Sequence, residues 1–258
     1  MSRTIAVAGK GGSGKTTITS LVIRYLLKNN LAPILAVDAD PNANLGESLG
    51  IGIGKTVGSI IATFNEEKIN IPPGMTKEAY LEVKLNDVIV ESKGLDLVTM
   101  GRGEGPKCYC YPNLLLRKFM DRLADNYAYM VLDNEAGMEH LSRRTTQNVD
   151  ELLLISNHSV KGVRTIARLR DLVKELQVVV KRQSVVINMV PEKLDPLVSE
   201  ELAKLGLEPA AIVPLDEKVY ESDLKQRPLL EMPDDARSAK AIDDLMTGLL
   251  KTEKALQK

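Results

Sequence analysis

At 258 residues, 44% hydrophobic and 27% charged, the chain is composed like a globular protein large enough to bury a core without disulfide staples. A net charge of −1, with no basic run longer than the pairs Arg143–Arg144 and Lys181–Arg182, gives no footprint for nucleic acid. No apolar run reaches the ~18–20 residues of a membrane span and no signal peptide precedes the first strand, so a cytoplasmic protein that binds neither nucleic acid nor membrane is expected.

In chain order, short branched apolar runs predict strands at 4–9 (TIAVAG), 33–39, 95–101, 129–134, 151–157, 184–190 and 210–215. These runs are apolar on both faces, as strands of a parallel sheet covered by helices must be. Helical patterns over 15–29, 112–126, 160–175 and 193–205 supply the crossovers. The expected fold is α/β: a single doubly wound, mostly parallel sheet flanked by helices, in one domain over residues 1–258. Residues 54–94, broken by IPPGM, are expected to form short helices over that sheet. Residues 235–256 place Ile242, Leu245, Met246, Leu249 and Leu250 at helical spacing, which predicts a docked C-terminal helix or, alternatively, a membrane-surface helix.

Directly after the first strand, GKGGSGKTT (9–17) satisfies G-x-x-x-x-G-K-[ST] and opens a helix, the context a P-loop requires. Gly11, Gly12, Ser13 and Gly14 are expected to wrap their N–H groups around phosphates, helped by the helix N-terminus. Lys15 should reach the β- and γ-phosphates, Thr16 should ligate Mg²⁺, and Thr17 should lie against the α-phosphate. YMVLDNEAG (129–137) ends a second strand with Asp133, which reads as a Mg²⁺-side carboxylate, and Gly137 offers a hinge for a phosphate-sensing switch. Asp38 and Asp40 close the 33–39 strand on one face, at the edge where open α/β sheets bind ligands. For either aspartate a helix N-cap is the alternative. Glu135, His140 and His158 read as solvated or loop residues.

The K-G-G-S-G-K-T form of the loop, with Lys10 near its start, resembles the deviant P-loop of the ATPase group that includes the nitrogenase iron protein and the MinD- and ParA-type ATPases. That resemblance implies an ATP-sandwich homodimer in which Lys10 acts in trans on the partner's nucleotide, the alternative being an exposed loop lysine. It implies that Asp40 orients or activates the attacking water while Asp38 serves the Mg²⁺ shell and the loop geometry. It also implies ATP and ADP as ligands, with the Asn188 amide on adenine and Pro214, Leu215 and Asp216 flanking the base. Lys10, Lys15 and Asp40 are thus the expected catalytic residues.

GPKCYCYP (105–112) holds both cysteines of the chain, Cys108 and Cys110. A disulfide between them is unfavourable, because two extended residues span up to ~7 Å, the limit of the usual Cα separation. Two thiolates are also too few for a tetrahedral metal site, but a twofold dimer brings four, enough for Zn²⁺, Ni²⁺ or an iron–sulfur cluster. Together with GMTKEAYLEVKLN (74–86), GRGEGPKCYCYPNLLLR (101–117) and LDNEAGMEHLSRRT (132–145), the pair resembles the CooC family of accessory ATPases for carbon-monoxide dehydrogenase. The resemblance implies a metallochaperone that couples ATP hydrolysis to nickel insertion, with Ni²⁺ or Zn²⁺ bridging a dimer through Cys108 and Cys110 and nickel carbon-monoxide dehydrogenase as partner. An iron–sulfur redox protein with a dimer-bridging cluster and a ParA/MinD-like positioning ATPase are the alternatives.

Overall fold

The structure, a computed structural model, describes residues 2–66, 71–102, 110–135, 148–175 and 179–256. Among them, eight strands form one sheet in the order β3-β4-β2-β5-β1-β6-β7-β8. The strands are β1 (Arg3–Gly9), β2 (Ile34–Asp38), β3 (Ile89–Val90), β4 (Leu95–Thr99), β5 (Tyr129–Asp133), β6 (Asn148–Asn157), β7 (Val179–Val190) and β8 (Pro209–Pro214). Every pairing is parallel except β3 with β4, so the expected doubly wound, mostly parallel sheet is what forms.

The helices are α1 (Lys15–Lys28), α2 (Leu45–Leu49), α3 (Val57–Glu66), α4 (Lys77–Asn86), α5 (Cys110–Ala124), α6 (Val160–Glu175), α7 (Pro196–Lys204), α8 (Glu217–Leu224) and α9 (Arg237–Leu256). They divide the core in two. Ile18, Leu21 and Leu26 of α1 pack with Ile242 and Met246 of α9 on one face of the sheet. Leu81 of α4, Met120 of α5, Ile166 of α6 and Leu202 of α7 cover the other. Alternate side chains of the central strands serve opposite faces, Ile5 and Val7 going to the first core and Ala6 and Ala8 to the second, as the two-residue period demands. The apolar stripe of α9 is therefore docked: Ile242 and Met246 are buried against the sheet face.

Several elements differ from the sequence reading. Two-residue β3 adds an antiparallel edge, and it is too short to carry a periodic signal. Strands β6 and β7 begin earlier than their apolar runs, at Asn148 and Val179. These extensions mix apolar and charged positions: Val149 is buried in the second core and Val180 packs against it, while cross-strand ion pairs join Lys181 to Asp150 at 2.6 Å and Arg182 to Glu151. Helix α5 starts at Cys110 rather than at 112, which places Pro112 in the first turn, where its missing N–H has no intrahelical role. Cys110 thus opens a helix rather than lying in a loop; Cys108 lies outside the described residues.

Candidate functional site

The carboxyl ends of β1, β2, β5 and β7 converge beside the N-terminus of α1. Gly9 ends β1 where an added Cβ would stand 2.2 Å from the Ile155 carbonyl oxygen, so the loop leaves the sheet through a gap only glycine fits. The turn closes with the Ser13 N–H donating to the Lys10 carbonyl at 3.2 Å. Gly14 caps α1 in the left-handed region with φ 82°. Lys15 and Ser13 are buried at 7% and 1% exposure, although one is charged and the other polar. A buried cation beside a ring of N–H groups is an anion seat. Lys10 is half-buried at the loop's start, and Gly11 and Gly12 are exposed at its crown.

Thr16, on the first turn of α1, donates from Oγ1 to Asp133 Oδ2 at 2.6 Å. One turn further on, Thr19 donates to the Lys15 carbonyl at 2.9 Å and reaches Asp133 Oδ1 at 3.2 Å. The sequence reading missed Thr19; its place three residues after Thr16, on the same helix face, was the available signal. Asp133 is 1% exposed, and burial pushes its carboxyl up to about 7. The Thr16 bond and the Lys15 cation oppose that shift, while Asp38 adds to it. Asp38 is the in-register neighbour of Asp133 across β2 and β5. Two carboxylates, two hydroxyls and a lysine thus share one strand-end corner. A hydroxyl and a carboxylate in mutual contact are hard oxygen donors of the kind Mg²⁺ takes beside nucleotide phosphates, so the residues fit that ion.

Asp38 is fully buried, and both its oxygens accept backbone N–H groups: Oδ1 from Asp40 at 3.0 Å and Oδ2 from Leu45 at 2.9 Å. Burial still wins over those bonds and raises it to about 6. Its most direct work is therefore to fold the 39–45 loop and hold the first N–H of α2 from a distance; the N-cap residue of α2 is Asn44, so neither aspartate takes the N-cap position that the sequence left open. Asp40 stands half-buried on that loop, its Oδ1 accepting from the Asn42 N–H at 2.9 Å.

A cleft of about 610 Å³ opens beside Thr16 and Thr17 and runs between α1, α2 and α8. Asn188, Pro214, Leu215 and Asp216, the residues assigned to the base from the sequence, line it together. Their chemistry differs. Leu215 is 54% exposed, with its N–H held by the Val190 carbonyl at 2.7 Å. Asp216 is buried and occupied: it caps α8 through the Lys218 N–H at 3.0 Å and takes the Ser238 N–H and hydroxyl at 2.8 and 2.9 Å. Burial alone would raise its carboxyl, but the bonds from Ser238 and Lys218 win and hold it below the usual range. The Asn188 amide is likewise engaged, donating from Nδ2 to the Ser13 carbonyl at 2.9 Å and accepting from the Met189 N–H at 2.9 Å.

His158 serves structure, its Nε2 accepting the Asp195 N–H at 2.8 Å at the start of α7. Glu135 is exposed beyond β5, and Gly137 and His140 lie outside the described residues. Among the described residues, no three His, Cys, Asp or Glu side chains cluster as a metal site. Of the expected Cys108–Cys110 site, only the backbone of Cys110 is described.

Comparison with known proteins bears on this corner. A family profile described as "CobQ/CobB/MinD/ParA nucleotide binding domain" matches residues 4–229. An ATP-binding protein of Methanocaldococcus jannaschii, itself uncharacterised, is 44% identical over 95% of this chain and 98% of its own. The carbon monoxide dehydrogenase accessory protein CooC of Rhodospirillum rubrum is 29% identical over 67% of this chain and 69% of its own. The cell-division ATPase MinD of Pyrococcus furiosus superposes with a TM-score of 0.70 at 21% identity, covering 98% of this chain and all of that one.

Proposed function

This chain belongs to the CobQ/CobB/MinD/ParA family of nucleotide-binding ATPases, and on that premise we propose that its ATPase cycle serves the handling of nickel for carbon-monoxide dehydrogenase. In this reading Lys15 and the Gly11–Gly14 N–H groups hold the phosphates. Thr16 and Asp133, with Asp38 behind them, hold Mg²⁺, which neutralises charge developing on the phosphate oxygens. Asp40, on the loop that Asp38 folds, orients water toward the transferred phosphoryl group. Lys10 reaches the nucleotide of a second copy, and the Asn188 amide meets the base.

The observation that carries the nickel reading is the Cys108–Cys110 pair and where the chain places it. The pair follows β4, whose exit is tied to the nucleotide corner: the Met100 N–H donates to the Asp38 carbonyl at 2.8 Å. The Gly58 N–H in turn donates to the Met100 carbonyl at 2.9 Å. A change at Asp38 with nucleotide would therefore reach the end of β4, which precedes the cysteines in the chain. Four thiolates across a dimer suit a soft or borderline divalent cargo, and similarity to a CooC protein points to the same client chemistry.

A positioning role, as in ParA- and MinD-type members of the family, is the second reading. It is favoured by the match to the family as a whole and by the MinD-like fold. It leaves the cysteine pair without work, and the apolar stripe of α9 is packed on the sheet rather than presented to a surface.

The deciding experiment is an anaerobic Ni²⁺ titration of the reduced protein, read by thiolate charge-transfer absorbance and solution mass, with and without ATP. One nickel per dimer is expected, lost in Cys108→Ala and in Cys110→Ala and altered by ATP. Nickel binding indifferent to both substitutions would remove cargo handling and leave the positioning reading, which lipid or DNA co-sedimentation then tests.

A further inference from the structure

Asn188 stands at the end of β7, 5% exposed, and its side chain reaches the phosphate loop. The strand is irregular there: the β7–β8 register shifts between Ile187 and Val190, and Met189 adopts φ 60°. A left-handed methionine is a strained choice, tolerated where a bulge must re-aim a neighbouring side chain. Here the bulge turns Asn188 so that its Nδ2 meets the Ser13 carbonyl at 2.9 Å, while the Met189 N–H locks Oδ1 at 2.9 Å. Both ends of the amide are thereby fixed, and the flip state follows from its partners. Gly14 makes the approach possible, because a Cβ on it would stand 2.3 Å from Asn188 Nδ2.

We propose that Asn188 is a positioning residue for the phosphate loop, bracing the Ser13–Gly14 peptide in its phosphate-binding orientation, in addition to any contact it makes with the base. This inference rests on the nucleotide reading above and deepens it. In a trans peptide the Ser13 carbonyl and the Gly14 N–H point in opposite directions. Pinning the carbonyl onto Asn188 therefore turns the Gly14 N–H away from Asn188 and β7. The peptide's neighbours are tied, the Ser13 N–H to the Lys10 carbonyl at 3.2 Å and the Gly14 carbonyl to the Ile18 N–H at 3.0 Å. But the loop carries two glycines with positive φ and a buried Ser13 Oγ without a partner, so the Asn188 bond is what fixes the plane between them. Removing the brace frees a peptide plane that must be ordered again each time phosphate binds, and that cost falls on affinity for phosphate itself.

A ligand without a base separates the two roles. Mg²⁺–ATP and Mg²⁺–tripolyphosphate are titrated calorimetrically into wild type, Asn188→Ala and Asn188→Ser, with ligand-free melts to show that each variant is folded. The serine variant is too short to reach Ser13 and keeps a polar group if the alanine variant melts poorly. The expected result is a loss of roughly three- to tenfold, the range of one hydrogen bond, for both ligands in both variants. A loss confined to ATP would overturn the brace and leave a base reader only; unchanged affinity for both ligands would overturn it as well. Failure of the nucleotide reading looks different. Wild type would then bind tripolyphosphate but not ATP, and the tripolyphosphate arm would still decide the brace.

Discussion

Thr16 and Asp133, 117 residues apart in sequence, meet at 2.6 Å, the hydroxyl of the first helix donating to a buried carboxylate at the end of β5. The contact ties the phosphate loop to the strand whose exit carries the 134–147 segment. It also bears on the proposed metal site. If Thr16 ligates Mg²⁺ there, its oxygen would give the ion a lone pair while its O–H would keep donating to Asp133. Thr16→Ala removes one donor and keeps the other. We expect ATP turnover to fall by at least about tenfold and the half-saturating Mg²⁺ concentration to rise, as loss of one oxygen ligand implies. A magnesium titration of turnover checks it, and unchanged Mg²⁺ dependence would remove Thr16 from the metal site.

The same corner sets a pH dependence. Burial raises Asp133 to about 7 and Asp38 to about 6, from ordinary values of 3.8. A raised carboxyl holds its proton more tightly folded than unfolded. Its contribution to stability is therefore fully present below pH 3.8 and is lost as pH climbs through 6 and 7. The lowered carboxyls, Asp216 and Asp234 among them, act in the acid range below that window. Ligand-free protein should thus melt several degrees lower at pH 8 than at pH 5.5, since a shift of one unit is about 1.4 kcal/mol of linkage. Asp133→Asn should flatten that slope and stabilise the empty protein while abolishing Mg²⁺-dependent turnover. A variant as pH-sensitive as wild type would assign the slope elsewhere.

Gly12 and Gly14 both have positive φ, yet they should respond differently to alanine. A Cβ at Gly12 meets nothing within 4 Å, so the cost is the backbone penalty alone, about 1–2 kcal/mol. At Gly14 the same Cβ collides with the Asn188 amide at 2.3 Å, so either the loop or the brace must move. Gly12→Ala should keep measurable ATP binding at reduced stability, whereas Gly14→Ala should lose binding by at least about a hundredfold. Equal effects would show that contact with Asn188 is unimportant.

Much of this corner was legible in the sequence, because its parts are short motifs at strand ends: GKGGSGKTT, the aspartate closing β2 and the aspartate closing β5. What stayed hidden was the work of residues with two possible uses. Asp216 precedes a helix, and an aspartate there reads equally as ligand contact or cap; the bonds to Lys218 and Ser238 show that the cap is occupied. Asn188 was recognisable as a site residue, but its partner depends on a left-handed Met189, a conformation that methionine does not advertise as glycine or asparagine would. The early starts of β6 and β7 were hard to read because charged positions, Asp150 in one and Lys181–Arg182 in the other, interrupt their apolar runs, and only the fold pairs those charges across the strands.

Asp216 tests that ambiguity directly. Its two oxygens take three donors and join the start of α8 to α9 through Ser238. Asp216→Ala should cost about 2 kcal/mol, a lost cap plus buried donors left unpaired, seen as a lower denaturant midpoint with unchanged slope. Ser238→Ala removes only the hydroxyl and should cost less. If Asp216→Ala melted as wild type but lost nucleotide affinity, the ligand role would stand over the structural one.

The roles of Lys15, Asp40 and Lys10 separate by binding, turnover and subunit of origin. Lys15→Ala should abolish ATP binding, because it removes the buried cation of the anion seat. Asp40→Ala should leave binding intact and slow turnover, since Asp40 sits on the loop rather than in the phosphate nest. Lys10→Ala should also bind ATP and turn over slowly. If Lys10 acts across a dimer, mixing the two slow variants rescues activity. In a mixed pair, the site on the Lys10→Ala subunit has its own Asp40 and borrows Lys10 from its partner, while the other site lacks both. Random exchange makes half the dimers mixed, with one of two sites whole, so activity should recover to about a quarter of wild type. Lys10 acting within its own subunit predicts no rescue at any mixing ratio, because each site would then lack one of the two residues.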